Sequence, residues 1–127
     1  MSAEGLTLGK ASLDEIAQGR GTKDDFDKVP VSMVPPEALL EIAKVFHFGA
    51  VKYARDNYRL GMSWSRMQDA ATRHWLAWQQ GEDHDPQSGL HHLAHAGCCT
   101  MMALTYVLDP ARHGGNDDRY KQGELNI

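Results

Sequence analysis

The chain has 127 residues, of which 42% are hydrophobic and 24% charged, with a formal net charge of −4. That length holds one domain rather than two, and a short helical chain often completes its core by pairing with copies of itself. The acidic balance argues against a nucleic-acid duplex as partner, because phosphate backbones call for a basic face, and no stretch approaches the roughly 20 apolar residues of a membrane span.

Residues 1–28 are polar, contain Gly19 and Gly21, and show no sustained period. They read as a mobile arm, with one short helix near Ser12–Ala17, where Ser12 and Glu15 have capping-box spacing. Val29–Val34 alternates apolar residues and reads as a short extended segment, although Pro30 excludes a central strand. The first helix is expected from Pro36 to His47. Proline suits its first position, Leu39, Ile42, Ala43 and Phe46 form its apolar stripe, and Gly49 reads as its stop. Lys52–Gly61 is a polar, aromatic connection with room for another helical turn. A second helix is expected from Arg66 to Gln80, opened by Ser65 and Gln68 in capping-box spacing and ended by Gly81. Met67, Ala71, His74 and Trp78 line one of its faces, and Trp75 widens that face. A loop, Gly81–Gln87, follows. Ser88 then caps a third helix, about Gly89–Leu108, whose first half is rich in small residues and which Asp109-Pro110 stops. Residues 110–127 read as a polar, mobile tail, which leaves 29–109 as the helical functional domain.

Five of the seven histidines fall between His74 and His95, in a window that also holds Glu82, Asp83 and Asp85. Clustered carboxylates suit Mg²⁺ or Mn²⁺, and added imidazole shifts the preference towards Mn²⁺, Zn²⁺ or Fe²⁺. On the third helix the pairs His92/His95 and His91/His95 are spaced to address one point. The start of that helix also favours anions through its free N–H groups and dipole. The bland alternative is a solvated acidic loop beside core histidines. The density of three acids and four histidines within residues 82–95 favours the site. The spacing fits neither a zinc finger nor an EF-hand.

Three further clusters leave two readings each. Glu37 and Glu41 share one helix side, as metal ligands or a general base, or as a solvent face on which Lys44 pairs with Glu41. Lys52, Tyr53, Asp56 and Asn57 form either a surface turn or a nucleotide contact, with Lys52 on phosphate, Tyr53 stacked on a base and Asn57 at a base edge or sugar. Arg73 lies off the apolar stripe and suits phosphate. His74 lies on the stripe and faces core or site. Trp78 and its neighbours are core residues or the planar wall of a purine pocket. No nucleophile elbow, Walker A loop or Rossmann fingerprint is present. Cys98 and Cys99 are adjacent, a strained geometry for a disulfide with each other, and read as packed thiols of a reducing compartment.

The segments KVPVSMVPPEALLEIAKV (28–45), FGAVKYARDNY (48–58), WSRMQDAATRHWLAWQQGED (64–83) and DPQSGLHHLAHA (85–96) together resemble a phage-associated family of dATP/dGTP diphosphohydrolases, akin to the MazG-like all-α NTP pyrophosphohydrolases. The resemblance implies an all-α helical bundle completed by oligomerisation into dimers or tetramers. It implies two or more Mg²⁺ or Mn²⁺ ions, and cleavage of a purine deoxynucleoside triphosphate to monophosphate and pyrophosphate. Its MazZ-like branch points to dGTP. The broad superfamily carries ExxE and ExxD helices. Here Glu37 and Glu41 have ExxxE spacing and His92-x-x-His95 stands where a second acidic helix is expected, which moves ligation towards Glu82, Asp83, Asp85, His92 and His95. Glu41 or Glu82 would take the proton of the attacking water, and Lys52 and Arg73 would balance the developing charge. With no apolar signal core at the N-terminus, a cytoplasmic location is expected, that of the host for a viral chain.

Overall fold

The computed structural model describes residues 14 and 16–121. The chain divides after Val34 into two compact units. In the first, Val31–Met33 forms a 3-10 turn rather than the expected extended segment. Proline fixes φ near the helical value, and the carbonyl of Pro30 accepts from the N–H of Met33 at 3.0 Å. Of the short helix expected near Ser12–Ala17, Asp14, Ile16 and Ala17 are helical, and the remaining positions lie outside the described residues.

The second unit is all-α. It comprises α1 (Pro36–Tyr53), a 3-10 turn (Asn57–Leu60), α2 (Trp64–Gln79), α3 (His92–Val107), the short α4 (Pro110–His113) and a 3-10 turn (Gly114–Asn116). Apart from these, the described residues hold one isolated bridge, between His84 and His91. None of the described helices is long and apolar enough to cross a membrane.

Pro36 starts α1 as its sequence implies, with Glu37 in the first turn and Lys52 in the last. The helix runs through Gly49 to Tyr53. A glycine costs a helix interior only about 1 kcal/mol, and the half-buried Phe46 and Phe48 hold this stretch inward. The stop comes instead at Ala54, whose φ of 99° lies outside the helical region. Asp56 follows at φ 62°, and the pair turns the chain sharply into the Asn57–Leu60 turn.

The core joins Val45 of α1 to Ala94 and Cys98 of α3, with Ile42, Phe46, Leu90 and Met102 packed around them. Small residues on α3 let α1 approach closely: a Cβ on Gly97 would stand 2.7 Å from Ile42 Cδ1. Burial pushes the Cys98 thiol up to about 12, so it acts here as a packing group. The third helix begins at His92 rather than Gly89. His91 is its cap, accepting the N–H of Leu93 at 3.0 Å.

Residues 110–121 form structure where composition suggested only a polar tail. Asp109 caps α4 and Pro110 occupies its first position. His113 is buried, with its ring 4.8 Å from that of Tyr106. Tyr106 is fully buried, and its hydroxyl donates to the Tyr58 carbonyl at 2.6 Å. Asp118 reaches the start of α2. Its carboxylate accepts the Ser65 N–H at 3.0 Å and the Ser65 hydroxyl. The expected Ser65–Gln68 capping box is thus replaced by a carboxylate 53 residues away. These bonds hold the Asp118 carboxyl below its usual range.

Two consequences are measurable. Tyr106→Phe deletes a buried hydrogen bond and leaves the Tyr58 carbonyl with the Gly61 N–H as its remaining partner, so unfolding stability falls by about 1 kcal/mol in denaturant titration. Because folding lowers the Asp118 pKa, its contribution is complete above the unfolded value near ~4 and is lost as pH falls through the folded value. Asp118→Asn therefore melts below the parent at neutral pH, and the two melting curves converge in acid.

Candidate metal and nucleotide site

α2 and α3 lie along each other, and the Gln80–His91 connection between them closes on itself. The N–H of Asp85 donates to the Leu90 carbonyl at 2.8 Å, that of Gly89 to the Asp85 carbonyl at 2.7 Å, and that of His92 to the Asp83 carbonyl at 2.8 Å. Gly89, at φ 73°, supplies the left-handed residue that this tight return needs. The result carries Asp85 to the seam where His74 of α2 faces His92 and His95 of α3.

His74, Asp85 and His92 each offer a ligand atom, and the three atoms lie within 4.8 Å of one another. The imidazoles set the geometry. His92, almost wholly buried, has its Nε2 2.6 Å from Glu82 Oε1. A carboxylate oxygen accepts, so Nε2 is the donor, and in the neutral ring Nδ1 carries the lone pair. That Nδ1 stands 2.8 Å from His74 Nδ1. Two nitrogens each about 2.1 Å from a cation at right angles would be roughly 3 Å apart. A histidine that gives its other N–H to a carboxylate is the usual arrangement of a metal-binding imidazole.

Burial lowers the His74 pKa, reinforced by the fields of His95 and His92 and opposed by Asp85. Burial likewise lowers that of His95, against Asp85. Both rings are therefore neutral at neutral pH, the form in which imidazole binds a metal. Burial works against ionisation of Asp85, but N–H donation from Ser88 and Gln87 and the fields of His95 and His74 bring its pKa below the ordinary value. Both N–H groups converge on Oδ1, at 3.0 and 2.8 Å.

Other candidates take different places. His95 stacks on His74 with ring centroids 4.5 Å apart, and its Nε2 is hydrogen-bonded to Ser88 Oγ at 2.6 Å. It supports His74 rather than joining the three-residue group. Ser88, read as a helix cap, serves to hold His95. Asp83 contributes its main-chain carbonyl to the loop, with an exposed side chain. Glu41 pairs with Lys44 at 2.6 Å, and neither Glu41 nor the exposed Glu37 lines the cavity described next. Trp78 packs edge-on against Trp75 at 5.7 Å, away from the cavity wall.

Beside the cluster lies an open cavity of about 1170 Å³ between the end of α1, the Asn57–Leu60 turn, α2 and α3. His74, Asp85 and His95 reach its wall, as do Lys52, Tyr53, Asn57 and Arg73. The Lys52 ammonium sits 5.1 Å from the Tyr53 ring centroid. Arg66 and Asp69 also line it and escaped the sequence reading. Their signal is the spacing Arg66, Asp69, Arg73, which sets all three on one face of α2.

The family described as dATP/dGTP diphosphohydrolase, N-terminal, matches residues 18–119. The chain belongs to this family. A dATP/dGTP diphosphohydrolase of Salmonella phage PMBT28 is 42% identical over 99 residues, which cover 78% of this chain. The chain spans about a third of that relative's length, 33%. No solved structure matches. In this member of the diphosphohydrolase N-terminal family, the matched region contains the whole histidine–aspartate cluster and every cavity residue named above.

Glu82→Gln keeps an acceptor for His92 but removes the charge that favours its proton on Nε2. Mn²⁺ affinity measured by calorimetry is expected to fall about 10- to 100-fold, the usual effect of losing such a partner, with the helical circular dichroism unchanged. An unaltered affinity would detach Glu82 from the metal site.

Proposed function

We propose that the chain hydrolyses a purine deoxynucleoside triphosphate in a metal-dependent reaction, with dGTP as the preferred substrate and dGMP and pyrophosphate as products. The observation that carries this is the convergence of His74, Asp85 and His92 beside a cavity lined by Lys52 and Arg73. The phage relative's name, dATP/dGTP diphosphohydrolase, supports the same chemistry.

The donor set fits a divalent cation: two imidazoles and one carboxylate, with His92 oriented from behind by Glu82. Two nitrogens and one oxygen suit Mn²⁺ better than Mg²⁺, which prefers an all-oxygen shell. A second ion would arrive with the triphosphate, since Mg²⁺ and Mn²⁺ commonly bind through substrate phosphates. When bound, such ions neutralise phosphate charge and make water a nucleophile at neutral pH.

The protein's residues supply the rest. Lys52 and Arg73 bring positive charge to the phosphates, Arg73 through paired N–H donors. Glu82 stands off the cavity wall and uses one oxygen for His92; its other oxygen, half exposed beside the histidine–aspartate cluster, would take the proton of the attacking water. Tyr53 offers a ring face to the purine, and Asn57 offers polar groups to sugar or base. Exposed Trp75, Leu76, Leu104 and Val107 leave apolar surface for copies of the chain to cover, in keeping with a dimer or tetramer. In an infected cell's cytoplasm, such turnover would shape the deoxynucleotide pool used for phage DNA synthesis.

The imidazole-rich donor set also favours a second reading, a histidine–metal phosphohydrolase that cuts at another phosphorus. Product analysis separates the two. Purified chain with Mn²⁺ and dGTP or dATP is expected to release dGMP or dAMP and pyrophosphate. Deoxynucleoside with triphosphate, or accumulating diphosphate, would support the second reading. No turnover of either substrate would overturn the enzyme assignment.

A further inference from the structure

Three aspartates line the cavity: Asp56, Asp69 and Asp85. Two are engaged. Asp56 lies between Arg55 and Arg59, at 3.8 and 3.5 Å, and Asp85 accepts the N–H groups of Gln87 and Ser88. Asp69 is exposed on the cavity wall and, among the described residues, joins no ion pair. Arg66 and Arg73 flank it along α2, yet neither guanidinium comes within ion-pair distance of its carboxylate. A free carboxylate inside a cavity meant for a polyanion works against phosphate binding, so its place calls for a ligand group that donates hydrogen bonds.

We propose that Asp69 selects guanine by accepting its N1–H and 2-amino hydrogens on the two carboxylate oxygens. Guanine alone among the common bases presents two adjacent donors on that edge. Adenine presents one donor beside the N1 lone pair, which would face a carboxylate oxygen and be repelled. The spacing along α2 agrees. Five residues separate Asp69 from His74, about 7.5 Å of helix rise. That is of the order of the reach from a purine edge across the sugar to the first phosphate. Arg73, one turn from Asp69 and next to His74, falls on the phosphate side. The inference rests on the nucleotide reading of the cavity and names the residue that sets its base preference.

The test separates base recognition from turnover. With metal removed by chelator, the full chain is titrated with dGMP, dIMP and dAMP. dGMP is expected to bind roughly tenfold or more tighter than dAMP, the scale of one bidentate base contact. dIMP, which keeps N1–H but lacks the 2-amino group, falls between. Asp69→Asn abolishes the difference between dGMP and dAMP, whereas Asp69→Glu, which retains the two acceptors, preserves their order. Equal binding of dGMP and dAMP by the parent chain, or an unchanged preference in Asp69→Asn, overturns the inference. Parallel dGTP turnover with Mn²⁺ tests the hydrolase reading separately: turnover with a base preference indifferent to Asp69 sinks this inference alone, and an Asp69-dependent preference without turnover sinks the hydrolase alone.

Discussion

Two imidazole nitrogens, His74 Nδ1 and His92 Nδ1, stand 2.8 Å apart in the seam between α2 and α3, and the rest of the site is built to hold them there. Glu82 anchors one ring through its far nitrogen, and His95 lies flat against the other. The loop that supplies Asp85 is closed by its own main-chain bonds, so the carboxylate arrives at the seam already oriented. Positioned donors of this kind let a cation bind without first paying to order its ligands.

The side of the cavity formed by the Asn57–Leu60 turn and α2 depends on more distant support. The Asn57–Leu60 turn follows two residues with positive φ and would be loosely held by its own contacts. Tyr106, deep in α3, fixes its Tyr58 carbonyl. Gly61 packs so closely beneath His113 and Asn116 that a Cβ there would stand 3.1 Å from the histidine ring and 3.0 Å from the amide. Asp118 satisfies the start of α2, whose later turns carry Asp69, Arg73 and His74. The segment after Asp109 therefore stabilises the two elements that frame the cavity, though it brings no residue to the cavity wall.

How much of this was legible in the sequence follows from the range of the interactions. Helical spacing of apolar residues located the first two long helices, because that signal is local and repeats every turn, and the third was placed between Ser88 and Asp109-Pro110 by its end signals. The density of acids and histidines pointed to the loop that carries Asp85 for the same reason. Ligand roles were harder. His74 shares the stripe of Met67 and Ala71, and only the packing of α2 on α3 brings it beside Asp85 and His92 rather than into the core. His95 looked equivalent to His92 until Ser88 claimed its Nε2. Glu37 and Glu41 have the right spacing for a shared site, but nothing in a helix's own sequence says what it will face. The Asp118–Ser65 cap spans 53 residues and has no local signature at all.

The account turns on where a cation binds. Diffraction from crystals soaked in Mn²⁺, recorded where manganese scatters anomalously, measures this directly. A peak bonded to His74, Asp85 and His92 is the result expected here. A peak at Glu37 and Glu41 instead, with the two imidazoles still sharing a proton, would contradict it.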